Sequence, residues 1–174
     1  MAYGFDQGER DPFDFYPTPP EFTEVLLREV NLPNRIWEPA CGDGAMVDVL
    51  RKHGHHVEAT DIQGGIDFLM ADAIWPCFAV VTNPPFKLFD EFAIHAYNLA
   101  TEVSALLVGI HRLGGAQRLN NLWRVIPPSL VIVIPERMKV NGKSSAFNHV
   151  WVVWDKRPPR PTKTELRWAS SRST

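Results

Sequence analysis

The apolar run Val80-Val81-Thr82 stops at Asn83-Pro84-Pro85-Phe86, and these four residues have the types and order to handle a planar amine. Neither proline has a backbone N–H to donate, and the residue before each is pushed away from helical dihedrals, so the chain past Thr82 stays extended and stiff. The side-chain amide oxygen of Asn83 and the carbonyl of Pro84 are acceptors, and Phe86 is a flat apolar face. A planar ring bearing an amine suits this shelf, because the ring stacks while both amine hydrogens are received. The same residues also describe a tight strand-to-helix turn with no ligand, so their meaning depends on what surrounds them.

A second chemical stretch is Glu38-Pro39-Ala40-Cys41-Gly42-Asp43-Gly44, which follows a strand expected over Arg35 to Trp37. A strand, a glycine turn and a helix carrying Met46, Val49 and Leu50 make the first half of a nucleotide-binding fold. Gly42 and Gly44 match the first two glycines of a dinucleotide fingerprint, but the third position is Val47, whose branched side chain opposes close helix packing. Glu38 at the strand end repels a pyrophosphate. Gly142-Lys143-Ser144 looks like the end of a phosphate-binding loop, yet the upstream glycine position is Arg137. An acidic strand end suits a cation with an amino group, and S-adenosylmethionine has both a sulfonium and an ammonium. The next strand, His56 to Thr60, ends at Asp61, where a carboxylate can accept both hydroxyls of a ribose while Ile62 lies against an adenine. Asp72 stands where an acid accepts the amino hydrogens of that adenine, or where it merely caps a turn.

The elements that position these groups follow from periodicity. Phe22, Val25, Leu26 and Val30 share a helix face, and Thr18-Pro19-Pro20-Glu21 has the spacing of a capping box at its start. Gly54 ends the helix of Met46, Val49 and Leu50. Ile66 to Leu69 is expected to begin a short third strand, and Phe78 to Thr82 is the fourth, delivering the shelf. If that fourth strand neighbours the first across the switch point of the sheet, the glycine turn and Asn83 face one crevice. Phe89, Phe92, Ala93, Ala96 and Leu99 line a core-facing helix, and Val103 to Val108 is a buried strand. Leu119, Leu122, Trp123 and Ile126 define another helix. Ser129 to Ile134 and His149 to Trp154 read as a terminal antiparallel pair, joined through a polar loop over Lys139 to Asn148. Phe147, the one aromatic of that loop, is either a second wall for a splayed-out base or a packing residue of the hairpin. Arg112, Arg118 and Arg124 either touch phosphate or are solvated.

Composition bounds the class. At 174 residues with 45% hydrophobic and 22% charged residues, the chain fits one globular domain. A net charge of −2 argues against a protein that coats nucleic acid by charge alone. The charge is uneven, because residues 155–174 hold six basic residues against Asp155 and Glu165. This basic tail either reaches phosphates or is simply solvated. Cys41 and Cys77 show no disulfide spacing, and the longest apolar run, Val103 to Ile110, is too short to span a bilayer. A cytoplasmic protein, not membrane-bound, is expected. His53, His55 and His56 lack ligand-spaced partners and read as an exposed helix end, so no metal site is expected.

Taken together these motifs resemble the class I S-adenosylmethionine-dependent methyltransferases, specifically those that methylate the N6 amine of adenine, and compact DNA enzymes of phage and mobile-element type are the nearest in pattern. The resemblance covers roughly residues 13 to 154. It implies a Rossmann-like α/β fold, with a mostly parallel sheet, a terminal antiparallel strand and helices on both faces. The methyltransferase domain would occupy residues 1–154 and the basic tail residues 155–174. Tyr16-Pro17-Thr18 looks like the family's N-terminal cofactor-contact motif. Glu38, Ala40, Gly42, Asp43 and Gly44 are similar to its cofactor loop, Asp61 and Ile62 to the ribose acid and its neighbour, and Asp72 to the adenine acid. Asn83, Pro84, Pro85 and Phe86 match the catalytic motif, with Phe86 against the base; Phe147 keeps its two readings, a wall for the base or a packing residue of the hairpin. The implied reaction moves a methyl group from the sulfonium to an amine whose protons Asn83 and Pro84 hold, with no metal. DNA is the expected partner. RNA adenine, a protein glutamine amide, cytosine N4 and a non-catalytic cofactor-binding module remain alternatives. No separate target-recognition domain is legible, so loops, the tail, a protein partner or self-association would supply specificity.

Overall fold

The computed structural model describes residues 17–72, 77–140 and 143–172. Its centre is a seven-stranded sheet assembled from β1 (Arg35–Glu38), β2 (His56–Ala59), β3 (Ala79–Thr82), β4 (Val103–Gly109), β5 (Leu130–Ile134), β8 (His149–Asp155) and β9 (Glu165–Trp168). The spatial order is β2-β1-β3-β4-β8-β5-β9. Only β8 runs antiparallel to its neighbours; every other pairing within this sheet is parallel. β1 and β3 are adjacent, with Ile36 opposite Ala79 and Trp37 opposite Val80. The switch point therefore lies between them, with the Glu38 and Asn83 strand ends side by side.

The central strands are buried on both faces, as parallel strands covered by helices must be. Alternation divides their side chains cleanly. Ile36, Val81, Ala105, Leu107, Ile132 and Trp151 face one layer, and Trp37, Val80, Leu106, Val133, Val152 and Trp154 face the other. The first layer is closed by α1 (Pro20–Glu29) through Phe22, Val25 and Leu26 and by α2 (Ala45–Lys52) through Met46, Val47 and Leu50. The second is closed by α3 (Phe89–Leu99), and by α4 (Ala116–Arg118), which continues as a π-helical turn over Leu119–Trp123. Each fully buried Leu, Ile or Phe contributes about 1.5–3 kcal/mol through removal of apolar surface from water.

Three local expectations are corrected. Thr18 does not cap α1: the N-cap is Pro19 and no side-chain cap bond forms. Ile66 to Leu69 form no strand; the segment holds a 3-10 turn over Phe68–Met70 instead. The cause is Phe68, which is buried as a plug with its ring against Trp37, Phe92 and His95, while Asp67 caps the turn by accepting from the Leu69 N–H. The antiparallel pair β5 and β8 forms as expected but is not the sheet's end, because β9 adds itself parallel to β5. Within the loop over Lys139 to Asn148, β6 (Lys139–Val140) pairs with β7 (Lys143–Ser144).

Much of the basic charge of residues 155–172 is spent inside the protein. Arg157 pairs with Asp155, Lys156 donates to the Tyr97 carbonyl and lies over its ring, and Arg167 bridges Glu165 and Glu29 of α1. Arg118, read as solvated or phosphate-facing, is half-buried: it pairs with Asp90 and donates to the carbonyls of Arg112 and Gly114, tying the loop after β4 to α3. His53 does sit exposed at the end of α2, with its Nε2 2.9 Å from the Glu24 carboxylate. Among the described residues no helix is long and apolar enough to cross a membrane.

Candidate active site

An open cleft lies beyond the carboxyl ends of β1, β2 and β3. Its walls bring together most of the residues the sequence marks out: Pro17 and Thr18 before α1, Glu38, Ala40, Gly42 and Asp43 after β1, Asp61 and Ile62 after β2, and the whole Asn83-Pro84-Pro85-Phe86 shelf after β3. Gly44 is not a lining residue; it closes the loop from below. Its φ of +88° is left-handed, it caps α2, and its N–H returns to the Cys41 carbonyl at 2.8 Å. A residue with a Cβ would be strained there, which explains the glycine.

Asp61 is the hinge between two loops. One carboxylate oxygen accepts from the Gly42 N–H at 3.0 Å and the other from the Gln63 N–H at 2.9 Å. A carboxylate has about four lone-pair sites, so both oxygens keep capacity toward the cleft. Ile62, exposed at 62%, is an apolar side chain on the cleft rim. Glu38 is the unusual group. It is 1% exposed; one oxygen accepts from the Ala40 N–H at 3.1 Å, and the other, also buried, lacks a hydrogen bond of good geometry among the described residues. Burial pushes its carboxyl up to about 8, against the opposing pull of the Thr82 hydroxyl and the Ala40 N–H, and the charge on Asp61 adds to the rise. Burial, Glu38 and Asp61 likewise push the Cys41 thiol up. Among the described residues that line the cleft there is no lysine, arginine or histidine.

The buried acid makes the stability of the fold pH-sensitive. In the unfolded chain Glu38 ionises near 4.5, in the folded one near 8, so between these values the native state binds the extra proton. Stability is therefore lost as pH rises from about 4.5 to about 8, by on the order of a few kcal/mol from this one residue. Urea unfolding across pH 5 to 8 should show that decline in the wild type and a flatter profile in Glu38→Gln. Parallel profiles would reject the assignment.

On the shelf, Asn83 is half-buried and donates through Nδ2 to the Thr18 hydroxyl at 3.0 Å. Pro84 is buried, and Phe86 opens a 3-10 turn over Phe86–Leu88 that leads into α3. Besides Gly44, two expected site residues do not line the cleft. Asp72 is exposed and does not line it, because the Phe68 turn carries the chain away. Asp67 lines it instead, a residue the sequence reading passed over; the signal was an acid directly before an aromatic that has to be buried. Phe147 is 41% exposed and packs against His111, the two rings tilted by 39° with centroids 4.2 Å apart, outside the lining of the cleft. Tyr16 lies outside the described residues.

No family model and no curated protein sequence matches this chain. Its fold does match solved structures. A protein from Listeria monocytogenes assigned to the class I S-adenosylmethionine-dependent methyltransferases superimposes with a TM-score of 0.67 at 15% identity, over 93% of this chain and 68% of that one. The methyltransferase subunit of a type I restriction-modification system from Streptococcus thermophilus gives 0.56 at 15% identity, over 82% of this chain and 45% of that one. A protein from Pyrococcus horikoshii assigned as an RNA methyltransferase gives 0.61 at 11% identity, over 86% of this chain and 92% of that one. The chain thus spans under half the length of the restriction-modification subunit. At these identities the likeness concerns the fold, which is that of the class I methyltransferases.

Proposed function

We propose that this protein is an S-adenosylmethionine-dependent methyltransferase acting on the N6 amine of adenine in DNA. The observation that carries the reading is the meeting, in one acidic cleft, of a buried strand-end carboxylate with the Asn83-Pro84-Pro85-Phe86 shelf. The donor set fits the cofactor. An ammonium beside Glu38 would supply the partner its second oxygen lacks and favour the carboxylate form. Asp61 would take the ribose hydroxyls, Asp67 the adenine amine, and Ile62 the face of the adenine ring. Thr18, Ala40, Gly42, Asp43 and Gly44 shape the loop around it. A cleft this acidic repels the phosphates of a dinucleotide, so the nicotinamide and flavin cofactors fit poorly.

When bound, the cofactor supplies an electrophilic methyl group on a sulfonium. The protein's own part is positioning. An exocyclic amine attacks poorly because its lone pair is delocalised into the ring; the Asn83 amide oxygen and the Pro84 carbonyl, accepting its two hydrogens, favour the pyramidal form that attacks. Phe86 holds the base by stacking, a contact whose loss costs about 1–3 kcal/mol in comparable sites. The proline pair keeps both acceptors fixed, so little reorganisation is needed as the bond forms.

DNA is placed first because three of the similar folds belong to restriction or restriction-modification proteins; the RNA methyltransferase among the similar folds keeps RNA adenine as the second reading. The deciding experiment incubates the protein with S-adenosylmethionine and unmethylated DNA or RNA, digests each, and measures N6-methyladenine by mass spectrometry. N6-methyladenine in DNA is the expected result. Product confined to RNA would replace the substrate and keep the chemistry, and product in neither would overturn the adenine reading.

A further inference from the structure

Thr18 sits two residues before α1, where its spacing to Glu21 suits a capping box, yet its hydroxyl makes no cap. The hydroxyl is 3.0 Å from Asn83 Nδ2, across 65 residues of sequence. Thr18 is only 6% exposed, lies between Pro17 and Pro19, and lines the same cleft as the shelf. Prolines on both sides fix the backbone at the expense of local hydrogen bonding, which holds the hydroxyl in place. The amide it meets has two unlike ends. An amine must find the oxygen, since the NH2 end would set donor against donor.

We infer that Thr18 is a positioning residue of the transfer step: by accepting from Nδ2 it holds the Asn83 amide with Oδ1 turned to the substrate amine. This rests on the proposed adenine chemistry and extends it to a residue whose motif reading is cofactor contact alone. It makes the segment before α1 part of the substrate side of the site as well as the cofactor side. The cleft then has one element, the Thr18 to Asn83 bond, on which both ligands bear.

Thr18→Val keeps the shape and removes the acceptor, Thr18→Ser keeps the hydroxyl, and Thr18→Ala serves as a second acceptor-less variant should valine impair folding. Three readouts separate the roles: the dissociation constant for S-adenosylmethionine, the single-turnover methylation rate of unmethylated DNA at saturating cofactor, and the Asn83 side-chain amide signals by NMR, assigned by their loss in Asn83→Ala. The expected result is a rate about 10–100-fold lower in Thr18→Val at saturating cofactor, the scale of a small misplacement at a reacting centre. Thr18→Ser should stay within about threefold of wild type, and the Asn83 amide signals should shift in the valine variant and hold in the serine one. A loss in Thr18→Val that disappears on saturation would make Thr18 a cofactor contact and overturn the inference. Unchanged Asn83 amide signals in both acceptor-less variants would overturn it too. Should the wild type methylate no DNA, the proposed function fails there, and the NMR comparison still decides the contact.

Discussion

Asn83→Ala is expected to lower the methyl-transfer rate by about 10²–10³-fold, the usual cost of losing one preorganised polar group at a reacting centre. The affinity for S-adenosylmethionine should stay within a few-fold, because the groups that would hold it, Glu38 and Asp61, come from β1 and β2 and are fixed by bonds to Ala40, Gly42 and Gln63. The loss should fall on the rate at saturating cofactor, since in the proposed mechanism the amide acts when the amine changes geometry. Equilibrium binding together with single-turnover kinetics checks both halves. A variant that still transfers methyl at a wild-type rate would remove Asn83 from the mechanism, and one that no longer binds cofactor would show that it supports the cleft as a whole.

The largest expected effect on stability comes from Trp151. It lies at the middle of β8, opposite Leu107 on one side and Ile132 on the other, with no exposed surface. Its indole N–H donates to the Phe22 carbonyl at 2.8 Å, so one side chain both fills the first core layer and fastens α1 to the sheet. Trp151→Ala should cost about 3–5 kcal/mol from lost burial and the cavity left behind. For a chain of this size that lowers the melting temperature by roughly 6–20 °C. Calorimetry or a denaturant titration reads the change directly. Trp151→Phe, which keeps most of the volume and drops the N–H, should lose less. If the two variants were equally damaging, the Phe22 bond would outweigh the packing.

Where sequence spacing alone dictates geometry, the expected arrangement and the folded one coincide. Asn83 and Glu38 could be paired in advance because each closes a buried parallel strand, and strands flanking a switch point must present their ends together. The same logic located Asp61. It misses when a residue is placed by what the core needs and not by its neighbours in sequence. Asp72 was chosen by distance along the chain, whereas Phe68 decides the path by filling the space between Trp37 and Phe92, leaving Asp67 facing the cleft. Thr18 was read as a helix cap because capping is local, but its hydroxyl meets a residue that sequence proximity could not indicate. The basic C-terminal segment misleads in the same way, since a count of charges cannot reveal that Arg157 and Arg167 already have carboxylates beside them.

The reversed strand has a consequence for synthesis. β4 and β5 are consecutive parallel strands in the chain, yet neither touches the other; β8 lies between them and is made about fifteen residues after β5 ends. As the chain leaves the ribosome, the edges of β4 and β5 that face β8 stay unpaired until His149–Asp155 emerges, and the outer edge of β5 stays unpaired until Glu165–Trp168 does. Pairing that waits on distant residues is slow and leaves apolar strand edges open to other chains in the meantime. A stalled nascent chain that ends before residue 149 should therefore be open to protease across 103–134, and protection should arrive in one step once β8 has been made.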